Sequence, residues 1–467
     1  MTALDLARLQ FATTTIYHFL FVPITIGLAF VVAGFETAYV RTGNEMWLRL
    51  TKLFGRLFLI NFAMGVATGI VQEFQFGMNW SSYSRYVGDI FGAPLALDGL
   101  AAFALESTFI GLWIFGWNRM RKGVHALMMW LVAIGSVISA YFILAANAWM
   151  QHPVGYRISE TTGKPVLDDI LVVIFQPLVL FLFAHTLLAA AITAGAVVLA
   201  VAAWQLLKRS NTEAFTKVAG VACSILLVAS IGQILVGDQL GMETVRDQPM
   251  KMAAAEALWD TQAPASFSVI QLGGWSVDSQ EPIFSIDIPG LLTFLAKKNF
   301  TDPIEGINQL QAQYEQQFGP GVYFPPVFIA YWAWRIMIYP LGITALLAFI
   351  GLLLVWRRRI ADFRWFLYLS VAAVVLPFVM ATAGWVFTEV ARQPWVVYNL
   401  MLTANGVSPA VPMWMVGTSL LVFFLLYGVL TITNFWLMAR YARTELPSAD
   451  EVEGAGPGES GTLVMSY

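Results

Sequence analysis

Long apolar stretches recur along the chain and are separated by shorter polar segments. Nine of them are long enough to predict helices, since a helix needs about 20 apolar residues to cross a hydrocarbon core of roughly 30 Å. The predicted spans are 13–40, 53–76, 91–117, 124–147, 178–205, 217–236, 327–356, 365–388 and 411–439. The first run is too long for a signal-peptide core and lacks a preceding basic region, so we expect it to be retained. The pattern predicts an all-α integral membrane protein.

Basic residues predict the orientation of these helices. Most of the 26 Lys and Arg residues fall in alternate short segments between the apolar stretches, which is the distribution of cytoplasmic loops. We therefore expect the N-terminus outside and the C-terminus in the cytoplasm. The expected organisation is six spans in 1–236, an outer loop at 237–326, and three spans in 327–443. Residues 444–467, rich in Gly, Ser and acids, are expected to form a disordered cytoplasmic tail.

Composition excludes a soluble enzyme and narrows the possible redox chemistry. Of the 467 residues, 58% are hydrophobic and 12% are charged, as in a polytopic membrane protein. The single cysteine, Cys223, excludes a disulfide, a cysteine-ligated iron–sulfur cluster and CxxCH heme attachment within the chain. Any heme here would have to be held by His, Met or carboxylate side chains.

Side chains that can bind a metal or carry a proton lie at a similar depth in the outer part of different predicted spans. They are His18, Asp98, His185, Met337 and Glu389. Such groups are unfavourable in lipid, so their shared depth favours a common functional layer. His185 is either a hydrogen-bonded core histidine or a heme ligand, and Met337 alone would be core filler. Arg335 lies at the same depth as Met337 and needs an anion, which a heme propionate would supply.

The third predicted span carries two acids. Asp98 and Glu106 are eight residues apart, which on a regular helix separates them by about 80° and two turns. Glu106 lies near mid-membrane and, without a partner, is expected to be protonated. The acids are either stations of a proton relay, assisted by Ser107 and Ser139, or hydrogen-bonding groups in helix packing, where serines are common. His125, at a basic cytoplasmic helix end, is expected to be solvated.

Several blocks of sequence together resemble one known family. They are LARLQFATTTIYHFLFVPITIGL at 6–28, PLALDGLAAFALESTFIGL at 94–112, GDQLGMETVRDQPMKMAAAEALW at 237–259, WRIM at 334–337 and GWVFTEVARQPW at 384–395. These blocks resemble subunit I of cytochrome bd-type quinol oxidases, in matching span order up to about residue 400. The resemblance implies a terminal respiratory oxidase of the bacterial cytoplasmic membrane. Such an oxidase takes electrons from quinol at the outer face, reduces O2 to water with protons from the cytoplasm, and contributes to the proton gradient without pumping.

The resemblance also implies three hemes and their ligands. His185 and Met337 would be the axial ligands of the low-spin heme b558, which leaves no open coordination position. His18 would ligate heme d and Glu389 would ligate heme b595. Members of the family exchange these last two hemes between sites, so that assignment stays open.

Further roles follow from the same resemblance. Lys251 and Glu256, in a segment with the length of the family's short quinol loop, would contact quinol, although taken alone both would be solvated loop charges. Arg392 would pair with a heme propionate. Trp385 and Trp395 would be either heme neighbours or ordinary membrane-interface anchors. A second integral subunit is implied, whereas accessory subunits and the choice between menaquinol and ubiquinol stay open.

The sequence departs from the family pattern at two positions. Two other function classes are alternatives to the oxidase. Asp98 replaces the usual Glu, so a bridging water is expected where Glu would reach heme iron, and Ala391 replaces the Gly of GRQPW. The alternatives are a non-oxidase membrane cytochrome b and a proton-coupled transporter. No convincing internal repeat supports a transporter, and ligands that all lie near the outside disfavour a two-heme cytochrome b. An added chlorin absorbance band would separate the oxidase from both.

Overall fold

Helices account for most of the structure, a computed structural model that describes residues 2–447. In chain order they are α1 (Ala3–Thr42), α2 (Glu45–Met78), α3 (Ser81–Leu97), α4 (Ala104–Phe115), α5 (Lys122–Gln151), α6 (Ile170–Phe175), α7 (Pro177–Leu207), α8 (Thr212–Asp247), α9 (Pro249–Ala255), α10 (Leu291–Lys297), α11 (Ile307–Phe318), α12 (Val327–Trp356), α13 (Arg364–Ala372), α14 (Leu376–Val390) and α15 (Met413–Ala442). Within residues 2–447, nine segments are long and apolar enough to span a membrane, with α3–α4 and α13–α14 each forming one of them. The predicted all-α membrane fold is confirmed.

Short antiparallel strand pairs connect some of the helices. The strands are β1 (Tyr156–Ile158), β2 (Pro165–Leu167), β3 (Phe267–Gly273), β4 (Pro282–Ile288), β5 (Trp395–Val397) and β6 (Met401–Leu402). They pair as β1–β2, β3–β4 and β5–β6. All three pairs lie in connections that follow spans expected to end at the outer face.

Several helices extend beyond the predicted apolar spans. The first helix begins at Ala3, where Thr2 caps it by accepting a hydrogen bond from the Asp5 backbone N–H. The sixth span continues as α8 to Asp247, past the predicted end at residue 236. Hydropathy marks only the part of a helix that lies in lipid, so polar turns that continue it above the membrane are not detected.

The third span is interrupted by a π-helical segment, Asp98–Phe103, between α3 and α4. A π turn contains more residues than an α turn and occurs frequently at functional sites. The predicted 80° separation of Asp98 and Glu106 assumed a regular helix and therefore does not apply. Both residues line the same cavity.

The first helix lies at the centre of the bundle. It contacts α2, α5, α7 and α15, while α8 packs along α7 and α12 packs against α8 and α14. Gly27 allows close approach between α1 and α7, because a Cβ there would collide with the Ala190 carbonyl oxygen. Small residues at a crossing are the usual way in which membrane helices come this close.

Segment 237–326, expected to be a loop, is folded against the helices. It contains the end of α8, then α9, the β3–β4 hairpin, α10 and α11. Trp259, Tyr314 and Tyr323 form a buried cluster with Tyr331 of α12. The segment is therefore held in one place relative to the N-terminal end of α12.

His125 is buried, so the prediction that it is solvated was wrong. Its Nδ1 lies 2.5 Å from Glu36 Oε1, and its Nε2 lies 2.8 Å from the Trp113 carbonyl oxygen. The Trp113 indole N–H donates to the other Glu36 oxygen at 2.8 Å. These bonds join α1, α4 and α5, and the sequence around His125 gave no sign of a partner on α1.

Residues 444–447 open the predicted disordered tail, and they pack against helices. Arg49 donates to the Leu446 carbonyl at 3.3 Å, and Gln205 donates to the Thr444 carbonyl at 2.8 Å. Leu446 is buried. The remainder of the predicted tail, 448–467, lies outside the described residues.

Candidate functional site

A cavity of about 1060 Å³ opens between α1, α2, the third span, α5 and α14. Its lining includes six of the thirteen predicted site residues, namely His18, Asp98, Glu106, Trp385, Glu389 and Arg392. The volume reaches the upper end of ordinary ligand pockets, which are roughly 300–1,000 Å³. The structure therefore brings together side chains that are far apart in sequence, in a space that can enclose a large cofactor.

The His18 ring is held in an orientation suited to metal ligation. The Thr68 hydroxyl donates to the Met64 carbonyl at 2.9 Å, so its oxygen accepts from His18 Nδ1–H at 2.9 Å. This bond selects the tautomer whose Nε2 carries a lone pair. Gly69 leaves room for the ring, because a Cβ there would come within 3.2 Å of it.

His185 and Met337 do not line the cavity but belong to the neighbouring helices α7 and α12. The Gln233 amide nitrogen lies 2.9 Å from His185 Nε2 and 3.1 Å from Nδ1. Met337 lies against α14, where a Cβ on Gly384 would come within 3.2 Å of its sulfur. The ligand pair of His185 and Met337 stays a prediction.

Glu389 and Arg392 form an ion pair at the C-terminal end of α14. Asn147 of α5 donates to Glu389 Oε1 at 3.2 Å. A heme propionate was expected as the partner of Arg392, whereas the structure pairs Arg392 with Glu389. The guanidinium still has one unused atom, because Arg392 Nη1 is buried without a hydrogen-bond partner among the described residues.

A second arginine contributes to the same cavity and was not identified from sequence. Arg8 lines it and donates from Nη2 to Gln393 Oε1 at 3.0 Å. Its Nε is buried without a partner in the part of the chain that the structure describes. An unpaired buried guanidinium atom is unfavourable, so Arg8 and Arg392 together offer two positions for an anionic group.

The two acids of the third span differ in their surroundings. Glu106 is buried and accepts a hydrogen bond from the Ser136 hydroxyl of α5, so its carboxyl has a partner on a neighbouring helix. Asp98 Oδ1 has no hydrogen-bond partner within residues 2–447, and Ser139 lines the same cavity. Ser107 is exposed, does not line the cavity and donates to the Ala104 carbonyl at 3.2 Å. The serine that contacts Glu106 is therefore Ser136, whereas Ser107 had been expected to assist the two acids.

Glu256 forms a buried ion pair with Arg335. Glu256 Oε2 lies 2.8 Å from Arg335 Nη2, and both side chains are almost fully buried. Burial raises the pKa of Glu256 to about 7, although the Arg335 guanidinium opposes the shift. Burial contradicts the reading of Glu256, taken alone, as a solvated loop charge. Arg335 is paired with this carboxylate of the same chain, and its contact with a heme propionate stays a prediction. Glu256 Oε1 has no hydrogen-bond partner among the described residues.

Lys251 is also buried, contrary to the expectation of a solvated charge. It donates to Gln151 Oε1 at 3.0 Å, and the Gln151 amide donates to Asn147 Oδ1 at 2.7 Å. Because Asn147 also contacts Glu389, hydrogen bonds connect segment 237–326 to the cavity wall. Burial lowers the pKa of Lys251 to about 7, and nearby Arg392 adds to that shift.

The two predicted tryptophans lie in different environments. Trp385 lines the cavity and packs edge-on against Phe19 at a centroid distance of 5.2 Å. Trp395 is buried against segment 237–326, where it stacks on Tyr323 at 5.8 Å and packs against Phe318 at 4.9 Å. Trp385 thus lines the cavity, whereas Trp395 packs against segment 237–326 and holds it in place.

Comparisons with known proteins are consistent over nearly the whole chain. A sequence family described as cytochrome bd terminal oxidase subunit I matches residues 6–446. The chain is 43% identical to cytochrome bd ubiquinol oxidase subunit 1 of Bacillus subtilis, over 94% of this chain and 93% of that protein. It is 36% identical to cytochrome bd-II ubiquinol oxidase subunit 1 of Escherichia coli, over 96% and 98%. The solved bd oxidase from Geobacillus thermodenitrificans matches with a TM-score of 0.85 at 28% identity, over 94% of this chain and 98% of that chain. The chain therefore belongs to the cytochrome bd terminal oxidase subunit I family.

Proposed function

We propose that this chain is the heme-binding and quinol-oxidising subunit of a terminal respiratory oxidase. The family consists of quinol:O2 oxidoreductases. The main support for this proposal is the cavity. It is lined by an oriented His18 ring, the Glu389 carboxylate and unpaired guanidinium atoms. These groups match the iron ligands and propionate partners that a heme requires.

The donor set of the chain fits heme. Imidazole nitrogen, thioether sulfur and carboxylate oxygen are suitable axial donors, and the unpaired atoms of Arg8 and Arg392 can receive propionates. Heme, when bound, would supply the electron carriers and the iron at which O2 is reduced. We assign His185 and Met337 to heme b558, His18 to heme d and Glu389 to heme b595. Asn147 and Arg392 would orient the Glu389 carboxylate.

Quinol oxidation is assigned to the Glu256 site. Glu256 Oε1 is unpaired, and a carboxyl whose pKa is about 7 can accept the proton of a quinol hydroxyl near neutral pH. The Arg335 ion pair fixes the carboxylate, and the buried Lys251 of the adjoining α9 would contact the same quinol. The substrate is a quinol, either menaquinol or ubiquinol.

Proton uptake is assigned to the third span. Asp98 and Glu106 line the cavity, and Ser136 donates to Glu106. We place the N-terminus outside, so these acids would lead from the cytoplasmic side towards the cavity. Taking protons from inside and releasing quinol protons outside separates charge across the membrane without a pump.

The chain is a multi-pass membrane protein, and we place it in the bacterial cytoplasmic membrane beside a second integral subunit. Only 17% of the apolar window of the third span is buried within the described chain. This span carries Asp98 and Glu106, whose function requires exclusion of bulk solvent and lipid. We expect the second subunit to cover it.

Quinol-driven O2 uptake by the purified complex tests the proposed function. We expect uptake that requires reduced quinone and scales with heme content. A heme-loaded complex that consumes no O2 with any quinol would contradict the oxidase and favour a non-oxidase cytochrome b. A folded complex without heme would favour transport.

A further inference from the structure

The β3–β4 hairpin of the outer segment has one entirely apolar face. Its cross-strand pairs on that face are Phe267 with Ile288, Ile270 with Ile286, and Leu272 with Phe284. Leu272, Phe284 and Ile286 are about half exposed, at 50%, 50% and 51%. Ile283 lies next to Phe284 in β4, where the register of the two strands shifts, and it is 90% exposed. A hairpin in water would expose its polar face and bury this one.

The opposite face of the hairpin is polar, and its β3 side chains contact protein. Ser268 and Gln271 are buried. The Ser268 hydroxyl lies 2.8 Å from the Tyr331 hydroxyl, and its carbonyl accepts from Arg335 Nε at 3.1 Å. The amphipathic pattern is therefore reversed relative to a soluble hairpin, which is the arrangement expected when the outer surface faces lipid.

The contacts of β3 with α12 place the hairpin at the outer boundary of the membrane. Arg357 marks the cytoplasmic end of this span, and counting about 20 residues back from Trp356 reaches Met337. Arg335 contacts Ser268, and the Tyr339 hydroxyl donates to the Val269 carbonyl. Arg335 and Tyr339 lie on either side of Met337, the residue expected at the outer edge of the hydrocarbon core. The strand β3 therefore lies at that edge.

A contact next to α10 independently indicates the same depth, at the outer boundary of the membrane. Lys298, directly after α10, is paired with Asp238 of α8 at 2.6 Å. Just below Asp238 on α8, Ile231 and Leu235 are 52% and 65% exposed, as expected for a lipid-facing helix. Phe294 of α10 is 39% exposed and stacks on Phe300, which is 58% exposed. The helix α10 therefore also presents apolar side chains at the outer boundary.

We propose that the acyl chains of the outer leaflet cover this surface, so that the hairpin and α10 are immersed in the membrane interface. We call the surface the lipid-facing patch, and it consists of Leu272, Ile283, Phe284, Ile286, Ile288, Phe294 and Phe300. The hairpin that carries the patch is connected to Glu256 through Arg335, which bonds both the Ser268 carbonyl of β3 and Glu256. Resting on the proposed function, the patch delivers quinol from lipid to Glu256.

Fluorescence quenching in nanodiscs tests the immersion without relying on activity. In the complex carrying Cys223→Ser, a bimane label is attached at Ile286→Cys. Matched controls are Asp287→Cys, on the opposite face of the same strand, and Gln316→Cys, on the exposed side of α11. We expect doxyl groups on lipid acyl chains to quench the Ile286 label several-fold more than either control, and aqueous iodide to quench it several-fold less.

Other outcomes of the same experiment overturn the immersion. Efficient iodide quenching at Ile286, equal to that at Gln316, would place the patch in water. Shielding from both iodide and doxyl lipid would mean that the second subunit or another copy of the chain covers it. Neither result depends on whether Glu256 oxidises quinol, so failure of the proposal and failure of the proposed function are distinguishable.

Kinetics test the delivery role separately. The variants Ile286→Asp and Phe284→Asp should raise the KM for a long-tailed quinol in bilayers about tenfold, with kcat and the heme spectrum unchanged. The KM for a short-chain, water-soluble quinol should stay the same. An equal change for both quinols, or no change for either, would overturn delivery through the patch.

Discussion

At the residue scale, partners from distant parts of the chain determine what each charged side chain can do. Glu256 and Arg335 lie in different elements and bury each other's charge. Lys251 depends on Gln151, a neutral residue at the end of α5. A buried charge without such a partner would be strongly unfavourable. The partners are therefore as important to the site as the charged residues.

Glu256 should make quinol oxidation depend on pH. Its pKa is raised to about 7, so the fraction able to accept a proton falls as the pH drops through 7. Quinol-driven turnover should fall in the same range, measured as O2 uptake between pH 5.5 and 8.5. Glu256→Gln should lower turnover by roughly 100-fold or more, the usual contribution of a general base, and remove this pH dependence with all heme bands retained. Glu305→Gln, an exposed control in the same segment, should behave as wild type. Loss of heme from Glu256→Gln would instead indicate a structural role.

Gln151 should position Lys251. Gln151→Leu removes a hydrogen bond to a cationic partner, worth about 1.5–3 kcal/mol, which corresponds to a roughly ten- to hundred-fold rise in KM for quinol. The heme spectrum and kcat should be unchanged, and Gln151→Glu, which keeps an acceptor oxygen, should restore most of the affinity. A fall in kcat with constant KM would show that Lys251 does not depend on this contact.

Ser136 and Ser107 provide a matched comparison for proton uptake. Ser136→Ala removes the hydroxyl that donates to Glu106, whereas Ser107→Ala alters an exposed side chain that does not line the cavity. We expect Glu106→Gln to slow O2 reduction strongly, Ser136→Ala to slow it several-fold, and Ser107→Ala to leave it unchanged, all with normal heme content. Equal effects of the two serine variants would refute the assignment.

At the element scale, hydropathy predicts the spans but not their local geometry. The nine segments follow directly from apolar runs, because lipid requires them. The π-helical segment at Asp98–Phe103 has no signature in hydropathy, since one additional residue in a turn leaves composition unchanged. The burial of Lys251 was likewise not predictable, because the residues that contact it, Gln151 of α5 and Phe387 of α14, are far from it in the sequence. The position of Lys251 follows from the fold of segment 237–326.

The π-helical segment should be required for activity. Leu100 is 80% exposed and lies in the middle of this segment. Deleting it should convert the π turn into a regular α turn and rotate Asp98 away from Glu106 by about 100°. O2 uptake should then be lost while the protein still folds and retains heme b558, as measured by its absorbance. Full activity in the deletion variant would show that the alignment of the two acids is not needed.

At the scale of the whole molecule, the chemistry is concentrated towards one end of the bundle. The cavity is lined by His18, Glu389 and Arg392, and hydrogen bonds through Gln151 and Asn147 connect it to the outer segment. Quinol oxidation and O2 reduction would therefore take place close to each other near the outer face. The acids of the third span would then bring protons from the opposite side, which is the arrangement that stores energy across the membrane.

The central claim is that the chain binds hemes through the assigned ligands, and the reduced-minus-oxidised absorbance spectrum of the purified complex tests it most directly. The account predicts b-type bands and a chlorin band in the wild type, and selective loss of the low-spin b signal and of quinol oxidation in His185→Ala. A folded complex without heme bands, or a His185→Ala variant that keeps the low-spin band, would contradict it.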